Sequence, residues 1–321
     1  MKLRGIEFGN VWAGSGVMGY FGEGYWYHHT RASEPFGLDF TGMTLVSKTA
    51  TEKHNPGNMP FDLETFQPLE KFPDCIKVRP LSGITLNAVG VANPGIDALL
   101  AKGEWQALTK PFVISIMAIE EESEQKRLDE IKYIVHAIGE RQDEFNAPFA
   151  IQENISCPNT NHSQIELTNG IADRLEVQSE LGVPLIPKVS IAAAPTWFMM
   201  ELNDNDNVDA ICSSNTVGYD WRELGQWHWK LESPMRKYNK AGGGLGGKVL
   251  RKLTCEWIEE VRDAGFTKPI NGGGGILTKR NIRQFRRAGA DSVFFASAAM
   301  VRPHRVRKLI RYGNKLDFTR R

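Results

Sequence analysis

Residues 153–160 read Glu, Asn, Ile, Ser, Cys, Pro, Asn and Thr, so an apolar strand ends in amides, a hydroxyl, a thiol and a proline. Each polar group buried at such a place needs its own partner, which packing alone does not supply. The stretch reads as the floor of an active site. By itself it equally suits an Asn/Pro turn around an inert small thiol, and its company elsewhere in the chain decides.

The elements that must position this floor recur with a regular rhythm. Short β-rich runs lie at 43–47, 83–87, 112–117, 150–155, 185–191, 208–213, 269–273 and 292–296, and helical periodicity marks 121–138, 171–181, 249–264 and 279–288. Alternating strands and helices require parallel strands joined by crossover helices. Eight such strands predict an α/β fold: a single (β/α)8 TIM barrel domain over 1–321, with an N-terminal glycine-rich segment at 8–29 and a long insertion after strand six at 219–240. An open doubly wound sheet is the competing architecture. Its glycine fingerprint belongs after the first strand, whereas the clusters at 242–247 and 272–275 come late. In a barrel, chemistry sits at the carboxyl ends of the strands. Those ends carry Lys48, Asn87, Asn154, Asn159, Lys188, Asn215 and Thr216, polar groups where a packed barrel favours apolar ones.

Lys and Arg total 39 against 38 Asp and Glu, a net charge of +1, so no global field draws the molecule to nucleic acid or acidic lipid. No apolar run reaches the roughly 18–20 residues of a membrane span, and the first residues lack the apolar core of a secretory signal. The expectation is a cytoplasmic protein with a small-molecule substrate and neither nucleic-acid nor membrane partners. Cys75, Cys157, Cys212 and Cys255 lie far apart without CxxC spacing, which argues against zinc, iron–sulfur and disulfide frameworks, and no metal is expected. Cys75, Cys212 and Cys255 read as small core residues. The segment with Trp221, Trp227 and Trp229 is too long for an ordinary connection and reads as a lid, a contact surface or a local apolar cluster.

In barrels of this kind a phosphate is often held by backbone N–H groups after strands seven and eight, near a short extra helix. Here those loops hold Gly273, Gly274 and Gly275, then Ala296 and Ser297, and 242–247 can add bare backbone. A flavin needs in addition glycine-lined space beside its ring and a cation near N1. Gly14 to Gly16 can supply the space and Lys188 the cation; the alternative for Lys188 and for Lys48 is a salt-bridged or snorkelling side chain.

Ser47, Lys48 and Thr49, Leu86 and Asn87, Asn93 to Gly95, the block 154–160, Lys188, Asn215 and Thr216, the glycines of 242–247, and Gly273 to Ile276 follow the order and spacing of the dihydroorotate dehydrogenases. The chain resembles that family from about residue 10 to 300, and Cys157 as the fourth residue of the Asn-x-Ser-Cys-Pro-Asn block resembles its soluble class 1. The resemblance implies FMN as cofactor and oxidation of (S)-dihydroorotate to orotate in de novo pyrimidine (UMP) biosynthesis. It makes Cys157 the base that removes the C5 proton while a hydride leaves C6 for flavin N5. It sets Lys48 between substrate and flavin, and Asn87, Asn154, Asn159, Asn215 and Thr216 on the substrate. On the cofactor it implies Gly14, Ser15, Lys48, Asn154, Lys188, Gly246, Gly247, Gly274, Gly275, Ala296 and Ser297. A homodimer and, in some relatives, an electron-transfer subunit follow from the same likeness.

The chain departs from the pattern in places. Ala296 and Ser297 replace the usual Gly-Thr and add a methyl, Gly243 to Gly247 lack the usual serine, and His54 and Phe61 stand where arginines are common in fumarate-using relatives. Two other readings stay open here. One is a flavin oxidoreductase of the dihydropyrimidine-dehydrogenase type; the other is a flavin-free phosphosugar isomerase or lyase barrel using Lys188 or Lys48 as its reactive amine. Fumarate, NAD through a partner subunit, a quinone and oxygen all remain as electron acceptors.

Overall fold

The computed structural model describes residues 1–29, 38–120, 123–156, 170–229 and 232–319. The chain opens with a hairpin of β1 (Lys2–Leu3) and β2 (Ile6–Glu7), followed by β3 (Val11–Ala13). After a stretch at 44–46 it makes a first excursion through β4 (Ile76–Arg79) and β5 (Ile84–Asn87), and α1 (Ile96–Ala101) leads back. Then come β6 (Phe112–Ile116), α2 (Glu124–Gly139), β7 (Phe149–Glu153), α3 (Ile171–Ser179), β8 (Lys188–Val189), α4 (Thr196–Asp204) and β9 (Ile211–Ser213). A second excursion holds β10 (Val217–Gly218), α5 (Gln226–Trp229) and β11 (Gly244–Gly247). The chain finishes with α6 (Leu250–Asp263), β12 (Ile270–Gly273), α7 (Lys279–Ala288), β13 (Ser292–Phe295), α8 (Ser297–Val301) and α9 (Val306–Gly313).

Parallel pairing closes a ring. β6 pairs with β7, and single bridges from Ile151 to Leu185 and from Asn154 to Lys188 join β7 to the fifth stave. β8, β9, β12, β13 and β3 follow in parallel register. Bridges from Trp12 to Thr44 and from Val46 to Val113 complete the circuit through 44–46. The staves are therefore β3, 44–46, β6, β7, the fifth at 185–189, β9, β12 and β13, the eight of a (β/α)8 barrel.

Side chains alternate along each stave as a pleated strand requires. Phe112, Ile114, Ile116, Phe149, Ile151 and Val293 pack outward with the helices. Trp12, Val46, Val113, Ala150, Ile186, Cys212 and Phe294 fill the interior with Leu3 and Phe8 of the hairpin region.

One expected stave is corrected. Residues 83–87 are not a barrel strand: β5 pairs antiparallel with β4 and with β11, in a four-stranded sheet ordered β10, β11, β5, β4. The turn at 80–83 is short enough for a hairpin but not for the crossover that a parallel neighbour needs. β3 is the stave that makes up the number, inside the segment read from sequence as a glycine-rich lead-in. The insertion after stave six is present as expected, while the excursion between staves two and three was not anticipated. Together the two excursions build the antiparallel sheet, and residues 244–247, expected as bare loop, are a strand within it.

Helices at 121–138, 171–181, 249–264 and 279–288 are found within a few residues of their expected limits. α7 begins at Thr278, whose hydroxyl accepts from Asn281 N, and ends at Gly289 in the left-handed conformation (φ 107°).

Glu153, the last residue of β7, points outward into α3. Arg174 Nε donates to its Oε1 at 2.5 Å and Gln178 Nε2 to its Oε2 at 2.6 Å, all three side chains being buried. Removing the cation strands a buried carboxylate, so Arg174→Met should lower the unfolding free energy by about 3–5 kcal/mol, and adding Glu153→Leu should recover much of it. Urea unfolding followed by circular dichroism reads both.

Candidate active site

The floor of the mouth is a hydrogen-bonded amide pair. Asn154 follows β7 directly, and Asn215 lies just past β9, the second stave beyond it. Asn215 Nδ2 donates to Asn154 Oδ1 at 2.7 Å and lies 3.4 Å from Ser156 Oγ, while Asn215 Oδ1 accepts from Thr216 N at 2.9 Å. Ser156 Oγ donates to Lys188 O at 3.1 Å. Asn154 Nδ2 reaches Thr49 Oγ1 at 3.5 Å, which meets Ser15 Oγ at 3.1 Å and Ser115 Oγ at 3.0 Å. Asn215 spends both of its N–H groups on Asn154 and Ser156, and Asn154 spends one on Thr49, so the pair keeps one Asn154 N–H and one lone pair on each amide oxygen to present to a ligand that carries both acceptors and donors. Lys188 is buried at the end of stave five and bridges to Asn154 in parallel register.

Lys48, just past stave two, supplies a cation in an aromatic setting. Its Nζ donates to Ala92 O and sits 5.2 Å from the Tyr20 ring centre and 5.6 Å from that of Phe61. Burial pulls the ammonium pKa down to about 8, against the pull of Cys75 and Glu23, which favour the charge. His54 lies beside Phe61, ring centres 5.6 Å apart. Where the resemblance leads one to expect arginines, an aromatic wall covers the lysine.

The sheet made by the excursions roofs this floor. On β5, Ile84 and Leu86 turn into an apolar cluster with Val217, Met235 and Leu245. Thr85 and Asn87 occupy the opposite face, where Thr85 Oγ1 meets Ser297 Oγ at 3.3 Å and Asn87 Nδ2 donates to Gly244 O at 3.3 Å. Asn87 therefore reaches the site from the roof rather than from a stave end. Thr85 was missed from the sequence, although its spacing of two residues from Asn87 puts both on one face.

The glycines fit a phosphate-bearing cofactor. A methyl at Gly246 would stand 3.0 Å from Thr85 Oγ1, 3.4 Å from Thr216 Cγ2 and 3.8 Å from Ser297 Oγ, so its absence leaves a space ringed by hydroxyl-bearing side chains. One at Gly275 would stand 2.5 Å from Gly247 O, and one at Gly247 2.3 Å from Gly83 O; only glycine permits these backbones to meet. Thr254 Oγ1, buried and with no hydrogen-bond partner among the described residues, lies 3.2 Å from where a Gly274 methyl would be. Gly274, Gly275, Ala296 and Ser297 follow staves seven and eight, with α8 beginning at Ser297. Bare backbone, spare hydroxyls and a buried lysine match the phosphate and the redox ring of FMN.

The methyl of Ala296 has a home. A Cβ on Gly14 would lie 2.9 Å from Ala296 Cβ, and Gly14 N donates to Phe295 O at 3.1 Å. Ala296 is tolerated because position 14 has no side chain.

Cys157 and Asn159 lie outside the described residues. The other cysteines are held as thiols by burial, Cys75 pushed up to about 11 and Cys212 and Cys255 to about 12. None of these three is suited to act as a thiolate base at neutral pH.

The sequence from 42 to 312 matches the family described as Dihydroorotate dehydrogenase. The chain belongs to that family. The catalytic subunit of dihydroorotate dehydrogenase B (NAD(+)) from Listeria innocua is 29% identical over 233 residues, 70% of this chain and 70% of that protein. Dihydroorotate dehydrogenase A (fumarate) from Lactobacillus delbrueckii is 26% identical over 308 residues, 93% of this chain and 86% of that protein. Among solved structures, the Eimeria tenella enzyme in complex with ferulenol superposes with a TM-score of 0.65 at 15% identity, covering 97% of this chain and 82% of the other, which supports the barrel.

Gly14→Ala should clash with Ala296 and cost about 1–3 kcal/mol, with faster loss of bound FMN, whereas Gly14→Ala with Ala296→Gly should restore both. Thermal unfolding and the rise of flavin fluorescence on release measure the two effects.

Proposed function

We propose that the chain, working as one FMN-binding barrel domain, oxidises (S)-dihydroorotate to orotate in pyrimidine biosynthesis. The observation that carries the reading is the Asn154–Asn215 pair, fixed by its own hydrogen bonds with one N–H and a lone pair on each oxygen left to present. Dihydroorotate presents what such groups recognise: ring carbonyls and ring N–H groups, beside a carboxylate. Lys48 offers the compensating charge to that carboxylate, with Asn87 on the roof and Thr216 beside Asn215 as further contacts; Asn159 is added to the substrate set by the resemblance alone.

The C5 proton is acidic because a carbonyl adjoins it. An amide donor such as the remaining Asn154 N–H, placed at that oxygen, would stabilise the charge that develops as the proton leaves. Cys157 receives the proton in this reading, its thiolate being the working form. Its role rests on the Asn-x-Ser-Cys-Pro-Asn resemblance. FMN, when bound, supplies the two-electron acceptor for the hydride from C6. Gly246, Gly247, Gly274, Gly275, Ala296 and Ser297 would hold its phosphate, Gly14 and Ser15 would flank its ring, and Lys188 would balance the charge of reduction. The relatives' names divide between NAD(+) and fumarate as acceptors, and a homodimer and an electron-transfer subunit are the assemblies to seek.

Protein loaded with FMN should be yellow and lose its flavin absorbance when mixed anaerobically with dihydroorotate, but not with dihydrouracil. Failure to take up FMN, or bleaching by dihydrouracil alone, contradicts the reading. The pH profile gives a second check. Lys48 is an ammonium below its lowered pKa of about 8 and an amine above it, so KM for the anionic substrate should rise as pH passes upward through that value. Lys48→Met should start from a higher KM and lose this inflection.

A further inference from the structure

The net charge of +1 conceals a sharp division. Residues 279–321 hold 13 of the 39 Lys and Arg residues but only two of the 38 Asp and Glu, a net of +11 against −10 for residues 1–278. The described part of this basic block is concentrated on one surface. α7 and α9 pack against each other on the outer wall, with Ile282, Phe285, Leu309 and Ile310 turned inward. Arg280, Arg283 and Arg287 of α7, and Arg307, Lys308 and Arg311 of α9, face outward and are exposed.

Like charges three and four positions apart on a helix oppose its stability, so this pattern is kept against a local cost. Arg307 forms an ion pair with Asp39 at 3.2 Å; among the described residues no carboxylate lies within ion-pair distance of the other five. The potential is felt by neighbours. His304 is pushed down first by burial and then by Arg305, Arg302 and Lys308.

We infer that the α7–α9 face is an adsorption surface for an anionic phospholipid bilayer. Two helices side by side give a shallow cationic face suited to a plane of lipid phosphates, which guanidinium groups bind in a bidentate manner. The alternative polyanion is nucleic acid. Single strands are bound by exposed aromatic rings that stack on bases. None of the large exposed apolar or aromatic side chains lies on this face, and Tyr312 is half-buried beneath Lys279, whose Nζ is 5.4 Å from its ring centre. No described helix is long and apolar enough to cross a membrane, so contact is electrostatic and reversible. The inference is independent of the proposed activity, because none of these residues belongs to the site.

Co-sedimentation of the FMN-loaded protein with vesicles tests it. Binding is expected to phosphatidylcholine vesicles containing phosphatidylglycerol, not to phosphatidylcholine alone, and should vanish as salt rises from about 50 to about 500 mM. Joint reversal by Arg280→Glu, Arg283→Glu, Arg287→Glu and Lys308→Glu should weaken the partition at least ~100-fold with turnover unchanged. The milder glutamine set at the same positions should lie between, and should keep the wild-type melting temperature. Absence of wild-type binding to the anionic vesicles at low salt overturns the inference. So does undiminished binding by the glutamine set, or tighter binding to single-stranded or duplex nucleic acid than to vesicles at equal phosphate concentration.

Discussion

The hydrogen bond from Asn215 to Asn154, 2.7 Å long, spans the mouth from the end of stave six to the end of stave four, past the end of stave five. It can form only because the ring is closed and curved, which brings alternate stave ends within reach. It also decides what the site can recognise. With both Asn215 N–H groups spent inside the network, the floor presents one Asn154 N–H and a lone pair on each amide oxygen. Thr49, Ser15 and Ser115 extend the same network toward the glycine-rich start of the chain, so the orientation of two side chains is held by three staves and two loops.

The roof has a separate origin. Neither excursion from the barrel carries enough strand to be stable alone, since a lone hairpin is marginal in water. Paired together they form four strands with one apolar face, and the other face is free to bring Thr85, Asn87 and Gly246 over the mouth. The cradle at Gly246, Gly247 and Gly275 thus depends on two insertions that are remote in sequence, and on backbones close enough that no side chain fits between them. Lys48 beneath Phe61 and Tyr20 belongs to the same economy: burial among aromatics brings its proton affinity near the working pH, where a solvated lysine would stay charged throughout.

Much of this was legible in the sequence. Lys48, Asn154, Lys188 and Asn215 lie within or just beyond β-rich runs, and position alone puts such residues at the mouth. Asn87 was expected at the end of a barrel stave, and it lies instead on β5 of the antiparallel sheet. Residues 84–87 look locally the same whether they pair with a parallel stave or in an antiparallel hairpin, and only the partner distinguishes them. Val11 to Ala13 escaped notice because three residues between glycine-rich turns give no measurable periodicity. The Gly14–Ala296 contact and the aromatic cover of Lys48 join residues far apart in the chain, which no local pattern reveals. The Arg/Lys-rich end from Lys279 to Arg321 is visible in the sequence and reads there as solvated helix faces; that two of its helices pack side by side is not visible there.

The central claim is that the strand-end amides form a fixed polar surface for an anionic pyrimidine, with the Asn154 N–H as its donor. The most direct measurement is titration of orotate into the FMN-loaded protein, followed by the change in flavin absorbance, for wild type and Asn154→Asp. The variant turns a donor into a repelling carboxylate, and orotate should bind at least ~100-fold more weakly to the fraction of the variant that carries FMN. Equal affinity in the two proteins would contradict the account.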